Sequence, residues 1–155
     1  MASSARMRAG QVVGILIAAL LFAMAAVLFV GAKPAGASTN TTATGRGTTA
    51  QFTCNTGQQL SASINFQASK SKGTLAGGGS VGGIGVGKFF NISGGTLNNN
   101  SYSLSGFTTQ DTCATFTSFV PFQVTLSGQC GTGVVIHYSD TAGETGDFIG
   151  NVVCT

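Results

Sequence analysis

The chain lacks tryptophan, has a single histidine and carries only four acidic residues among its 155 positions. Without tryptophan, the Cys…Trp…Cys pattern of immunoglobulin domains cannot be present. One histidine, together with cysteines that never occur as C-x-x-C, gives too few ligands in the usual spacing for a zinc site. No apolar pattern with a helical period follows Ala32, which excludes a helical domain beyond that residue.

Charge is scarce and unevenly distributed. The formal net charge of the whole chain is +3, but three basic residues, Arg6, Arg8 and Lys33, lie within residues 1–37. In the rest of the chain the basic and acidic residues balance: Arg46, Lys70, Lys72 and Lys88 against Asp111, Asp140, Glu144 and Asp147. Because a nucleic-acid partner requires clustered lysine and arginine on the folded domain, we expect no such partner.

The N-terminal region has the organisation of an export segment. Arg6 and Arg8 precede an uncharged apolar run over residues 12–32, and the small residues 35–37 follow. This order predicts a secretory signal peptide that is cleaved after Ala37. The apolar run is also long enough to span a bilayer, so an uncleaved membrane anchor through residues 12–32 is the alternative. Both interpretations place the rest of the chain outside the cell, secreted or at the cell surface.

A third interpretation of this region comes from a resemblance. Residues 8–12, Arg-Ala-Gly-Gln-Val, are similar to the processing site of archaeal-type prepilins, where a basic residue and a glycine precede a hydrophobic helix. The resemblance implies loss of residues 1–10, a retained helix in a filament core and a β-rich head that faces outward. Secretion, anchoring and filament assembly therefore all remain open at this point.

The chain beyond residue 37 divides into two parts by composition. Residues 38–49 contain almost no apolar side chain and predict a flexible stalk rich in serine and threonine. Residues 50–155 are rich in Gly, Ser, Thr and Asn, which is typical of an all-β domain. The clearest strand signal is at residues 60–68, where apolar side chains alternate with serine, asparagine and glutamine.

The spacing of strand and turn signals predicts the fold class. Roughly seven or eight short strands are expected, separated by turns rich in glycine and asparagine. We expect an antiparallel β-sandwich of two sheets with Greek-key or jelly-roll connections, preceded by the N-terminal hydrophobic signal or anchor helix. The glycine-rich residues 74–87 are predicted to be a long loop or a bulged hairpin arm.

All four cysteines lie beyond the export segment, at positions 54, 113, 130 and 154. An even number of cysteines in an exported domain predicts two disulfides. Of the three pairings that are open, we favour Cys54–Cys154 with Cys113–Cys130. The first would tie the opening strand to the closing one, and the second would close a local loop.

An acidic turn is the main candidate for a binding site. Asp140, Glu144 and Asp147 are three of the four acids in the chain and fall within eight residues that also contain glycine. Carboxylates and flexible loop carbonyls are ligands that calcium prefers, so these residues form a candidate calcium site. The alternative is a solvated hairpin turn with no cofactor. His137, close to this turn, is the only candidate for a general base, and no serine lies in a nucleophile-elbow sequence.

The function that best fits these patterns is that of an exported, non-enzymatic module with a structural, adhesion or binding role. Its expected partner is an extracellular protein or glycan, and self-association is a further option. Two alternatives remain: a pilin-like or strand-donating filament subunit, and a secreted calcium-dependent glycan binder or hydrolase. N-glycosylation acceptor triplets begin at Asn40, Asn91 and Asn99.

Overall fold

The computed structural model describes residues 40–155, so the predicted signal peptide or anchor over residues 1–37 lies outside the described part of the chain. Residues 40–155 contain no helix that could cross a bilayer. They form nine antiparallel strands: β1 (Thr42–Thr53), β2 (Gln59–Ser71), β3 (Thr74–Gly83), β4 (Val86–Leu97), β5 (Ser101–Cys113), β6 (Phe116–Ser118), β7 (Gln123–Gln129), β8 (Gly131–Asp140) and β9 (Thr145–Cys154).

Eight of these strands close into a barrel. Strands β1 to β5 pair in chain order, β5 pairs with β7, β7 to β9 again pair in chain order, and β9 returns to pair with β1. The short strand β6 pairs only with the end of β5 and stays outside the ring. The all-β, antiparallel prediction is confirmed, but the predicted two-sheet sandwich is wrong, since one continuous ring replaces the two stacked sheets. Closure leaves none of the eight strands with an unpaired edge.

The barrel interior is filled by side chains. Apolar residues from β1–β5 and β7–β9 alternate inward and form a single core, with Ile64, Leu104, Leu126, Ile136 and Phe148 among the fully buried members. An eight-stranded barrel has an interior just wide enough to be filled in this way. The core therefore runs through the centre of the ring.

Glycines make room for the aromatic rings of this core. Phe66 on β2 is paired with Gly45 on one side and Gly79 on the other. A Cβ at Gly45 would overlap the Phe66 ring, and a Cβ at Gly79 would lie 2.5 Å from Cζ of Phe90. The interpretation of residues 74–87 as a loop or bulged arm is therefore wrong for β3, where the glycines lie in a regular strand paired on both sides.

Gly45→Ala is expected to lower the free energy of unfolding by about 1–3 kcal/mol, because the added methyl group overpacks the ring of Phe66. The matched control is Gly82→Ala, since a Cβ at that position meets no atom within 4 Å. The control should change the stability by less than about 0.5 kcal/mol. Urea denaturation of both variants measures the difference, and equal stabilities would contradict the role of Gly45.

The first strand begins inside the segment predicted to be a stalk. Residues 42–49 belong to β1, which pairs with both β2 and β9. The prediction of a flexible stalk over residues 38–49 is thus wrong for residues 42–49. The inward positions of this half of β1 are Ala43 and Gly45. Because these residues are small, they do not produce the pattern of large apolar side chains by which a strand is recognised in a sequence. Backbone pairing on both sides orders the segment instead.

Two disulfides are present and use all four cysteines, as predicted, but the predicted pairing is wrong. Cys54 pairs with Cys113 at a Cα–Cα distance of 5.6 Å, and Cys130 pairs with Cys154 at 5.9 Å. The first joins the ends of β1 and β5, which are not neighbours in the ring. The second joins the start of β8 to the end of the adjacent β9. Ring closure brings these ends together, and sequence order alone does not reveal it.

Candidate functional site

Four charged side chains are buried together inside one end of the barrel. Lys88 comes from β4, Asp111 from β5, Asp140 from the end of β8, and Glu144 from the turn before β9. All four side chains have no exposed surface. We call this group the Lys88 cluster. Charged residues are almost never fully buried unless they are paired, so the cluster is the most unusual chemical feature among residues 40–155.

The lysine lies at the centre of the cluster. Its Nζ is 2.5 Å from Oδ1 of Asp111 and 3.4 Å from Oδ2 of Asp140, and it also contacts Oε2 of Glu144. Lys88 and Asp111 are directly opposite each other on the paired strands β4 and β5. The ring of Phe52 lies 5.8 Å from Nζ, at a distance that suits a cation–π contact.

The three carboxyl groups have different surroundings. Asp140 accepts hydrogen bonds from the Tyr138 hydroxyl at 2.9 Å and from the backbone N–H groups of Ala142 and Glu144 at 3.1 and 3.0 Å. Those bonds hold the carboxyl of Asp140 in the β8–β9 turn. By contrast, Oδ2 of Asp111 has no hydrogen-bond partner within the described chain. Oε1 of Glu144 accepts one long bond from the backbone N–H of Asn55, at 3.5 Å.

The charges of the cluster do not balance, because one lysine faces three acids. Burial raises the pKa of the Glu144 carboxyl; Lys88 opposes this shift, and the neighbouring Asp111 and Asp140 add to it. Burial also raises the pKa of Tyr138, as does the adjacent Asp140, so Tyr138 remains a neutral donor. Retaining a proton on Glu144 reduces the excess negative charge inside the barrel.

The raised pKa of Glu144 predicts a pH-dependent stability. An acid whose pKa is higher in the folded state than its ordinary value of 4.5 binds its proton more tightly when folded. Its contribution is therefore complete below the ordinary value and is lost as the pH rises through the folded value. Urea denaturation across this range should show the loss in the parent chain.

The control for this pH effect is Glu144→Gln, which removes the titrating group. The other charged or titratable groups that face it, Lys88, Asp111, Asp140 and Tyr138, are unchanged in this variant. The loss of stability with rising pH should therefore be smaller in the variant than in the parent. Parallel profiles for the parent and the variant would contradict the prediction.

Asp111, Asp140 and Glu144 are the residues that could hold a metal ion, since their carboxylate oxygens lie within 4.8 Å of one another. However, the Lys88 ammonium group lies among the same oxygens and contacts all three residues. A divalent ion at that position would be repelled by the ammonium charge. The donor set therefore suits the lysine better than a metal ion.

Comparison with protein-family models, with curated proteins and with solved structures finds no match to this chain.

Only two of the three residues predicted to bind calcium are brought together. Asp140 and Glu144 face the barrel interior, whereas Asp147 lies on the outer surface with 71% of its side chain exposed. Oδ1 of Asp147 is 2.7 Å from Nδ1 of His137, which is also exposed. The predicted ligand set is therefore split between the interior and the outer surface of the barrel.

His137 and Asp147 form a surface pair beside a serine. Ser127 on β7 is the cross-strand neighbour of His137 on β8, and Asp147 on β9 is its neighbour on the other side. A Ser-His-Asp hydrolase requires the serine hydroxyl to hydrogen-bond to the histidine ring. Among residues 40–155, no serine makes a hydrogen bond to His137. Ser127, His137 and Asp147 are therefore aligned across three strands, but the serine is not activated by the histidine.

The glycosylation triplets lie in three different settings. Asn91 is exposed on the outer face of β4, and Asn99 is exposed in the turn between β4 and β5. The side-chain nitrogen of Asn40 donates to the carbonyl oxygens of Asn98 and Asn99, each at 3.1 Å. Asn40 is thus folded against the turn that carries Asn99. Modification at these positions stays a prediction.

An open groove of about 710 Å³ lies on the outer face of the barrel. Its polar lining includes Asn65, Arg46 and Asn151, which are aligned across β2, β1 and β9. Arg46 is exposed. This row supplies amide and guanidinium donors on a surface that has few other charges.

Sequence reasoning missed Lys88 and Asp111. Lys88 shares a face of β4 with the buried Val86 and Phe90, so strict alternation would have placed it in the core. Asp111 gives no such signal. A bulge at Thr109 shifts the β4–β5 register and turns Asp111 inward, although the earlier inward residues of β5 have even numbers.

Proposed function

We propose that this chain is an exported, non-enzymatic structural module, secreted or held at the cell surface, which acts through the outer face of its barrel. The observation that carries the proposal is the filled interior. Side chains occupy the ring, the Lys88 cluster fills one end, and the Cys54–Cys113 disulfide joins strands that are not neighbours. A barrel of this size can hold a small ligand only where its interior is left open.

The state of the cysteines supports an extracellular location. All four are joined in disulfides, and Cys54 and Cys113 are both buried. Disulfides form and persist in oxidising compartments. The export segment predicted over residues 1–37 leads to the same compartment, and the balanced charge beyond it gives no reason to expect a nucleic acid there. An extracellular protein or glycan is the partner class that fits the outer face.

Labelling of intact cells tests the proposed location. A membrane-impermeant, amine-reactive reagent should modify Lys70 and Lys72, which are exposed on the barrel surface. Lys88, which is fully buried, should stay unmodified in the folded protein and serves as an internal control. Labelling of Lys70 and Lys72 only after cell lysis, on protein with free thiols, would overturn the proposal.

Intact mass of the native protein separates the forms of display. Loss of residues 1–37 corresponds to a secreted module, and loss of no residue to an anchored one. Loss of residues 1–10 would favour the pilin-like alternative.

The strand-donating alternative has less support, because β1 would have to leave two paired neighbours in order to enter another subunit. The calcium-dependent alternative has less support because Asp147 lies apart from Asp140 and Glu144.

A further inference from the structure

The Lys88 cluster holds an amine against a carboxyl group in a site with no exposed surface. We propose that Nζ of Lys88 and the carboxyl carbon of Asp111 become joined by an intramolecular amide bond, with Glu144 as the group that transfers protons between them. The inference does not depend on the proposed function, because it concerns chemistry inside the barrel. It assigns a covalent modification to two residues that otherwise form only an ion pair.

The geometry favours the reaction in several ways. Lys88 and Asp111 are cross-strand partners, and Nζ is 2.5 Å from Oδ1 of Asp111. Both are fixed on paired strands, so the two groups remain in contact without a mobile loop. Intramolecular reactions between well-oriented groups gain large rate advantages from such positioning. Burial also excludes the bulk water that would favour hydrolysis of an amide.

Asp111 is better placed as the electrophile than Asp140, and it is the acid directly opposite Lys88 on the paired strands. Besides the long bond from Lys88, Asp140 accepts three hydrogen bonds, from Tyr138, Ala142 and Glu144, which hold both of its oxygens in the turn. Asp111 receives none besides the contact with Lys88, and its Oδ2 has no partner. Oδ2 of Asp111 is therefore the oxygen that is free to take up the proton released by Nζ and to leave as water.

Glu144 is suited to proton transfer. It contacts the same Nζ and lies in the turn before β9, apart from the β4–β5 strand pair. Burial raises the pKa of the Glu144 carboxyl, which favours its protonated form. A carboxyl that contacts the amine can give its proton to the leaving hydroxyl and then take one from nitrogen, so that it ends the step in the form in which it began.

The step balances without an outside reagent. Proton transfer converts the ammonium and carboxylate pair into a neutral amine and a carboxylic acid. The lone pair of Nζ attacks Cγ of Asp111, the C–N bond forms, and the C–O bond to the hydroxyl breaks. The hydroxyl leaves with a proton taken from nitrogen through Glu144, so one water molecule is released. The product replaces two buried charges with one neutral amide, which lowers the cost of burial.

A tryptic digest of the full-length parent chain decides the proposal. Lys88 is the last lysine or arginine in the sequence, and the site before it is Lys72. After reduction and alkylation, trypsin should leave residues 73–155 as one fragment, because it does not cleave after an acylated lysine. The mass of this fragment should be lower than that of the unmodified fragment by one water molecule. Fragmentation should place the link on Asp111.

The opposite digest overturns the proposal. Separate fragments of residues 73–88 and 89–155 at full mass would mean that Lys88 is free. A link that maps to Glu144 or Asp140 would also overturn the assignment. These outcomes come from the parent chain and do not depend on whether a variant folds.

Variants test the roles of the individual groups. Asp111→Ala should give complete cleavage after Lys88. Asp111→Asn should give a linked fragment of the same mass as the parent, since asparagine loses ammonia where aspartate loses water. Glu144→Gln keeps both reacting groups and should leave them unjoined, while the exposed control Asp147→Asn should link as the parent does. Full linkage in Glu144→Gln would overturn the role of Glu144.

Discussion

Lys88→Met is expected to lower the free energy of unfolding by about 3–5 kcal/mol, because it removes the polar group that contacts all three buried acidic residues. The methionine side chain retains most of the apolar length of lysine, so the loss reflects charge and not an empty cavity. The variant also lacks the proposed amide link between β4 and β5, and this loss acts in the same direction. Urea denaturation at neutral pH measures the change.

Lys70→Met is the matched control for this variant. Lys70 is exposed on β2 and makes no ion pair within the described chain. Its substitution should change the stability by less than about 0.5 kcal/mol. Similar stabilities for Lys70→Met and Lys88→Met would contradict the importance assigned to the cluster.

Loss of the Cys54–Cys113 disulfide is the other large effect that we expect. The two cysteines are separated by 59 residues, so the cross-link should stabilise the fold by about 4 kcal/mol through its effect on the unfolded chain. The double variant Cys54→Ala with Cys113→Ala tests this value in urea denaturation. Alanine is preferred to serine because both positions are buried, and an unpaired hydroxyl would add its own cost.

The second disulfide provides the comparison. Cys130 and Cys154 are separated by 24 residues, which gives a smaller expected contribution of about 3.5 kcal/mol. Both cysteines of this pair are also less buried than Cys54 and Cys113, so their removal disturbs less packing. A larger loss for the Cys130–Cys154 variant than for the Cys54–Cys113 variant would contradict the predicted order.

The sequence predicted a strand well where apolar and polar side chains alternate, because alternation is a local signal, and it missed strands built from small residues, such as β3 and the first half of β1. Residues 60–68 alternate as predicted and form the middle of β2. Alternation cannot distinguish two stacked sheets from one closed ring, since both have one buried face. The decision depends on the pairing of β1 with β9 and of β4 with β5, which are contacts between whole strands. The sequence feature related to closure is the glycine content, since Gly45 and Gly79 leave room for the Phe66 ring inside the barrel.

The candidate site was harder to predict because it depends on register. Three of the four acids were recognised as a group from their proximity in sequence, yet Asp147 faces outward and Asp140 and Glu144 face inward. The fourth acid, Asp111, joins them only because of a bulge in β5. A single displaced residue in a strand moves every later side chain to the other face. Spacing along the sequence therefore identified the β8–β9 turn as part of the site, but it included Asp147 and omitted Asp111.

The two disulfides also limit how far the domain can be stretched. The backbone N–H groups of Thr41 and Thr42 donate to the carbonyl oxygen of Thr155, so the described chain starts and finishes side by side. A pulling force applied at these two ends would break the hydrogen bonds between β1 and β9 one after another, starting at the ends. Extension would then stop at the cross-links, because force passes directly from Cys54 to Cys113 and from Cys130 to Cys154. The segments between the two cysteines of each disulfide, which make up most of the barrel, would therefore carry no load.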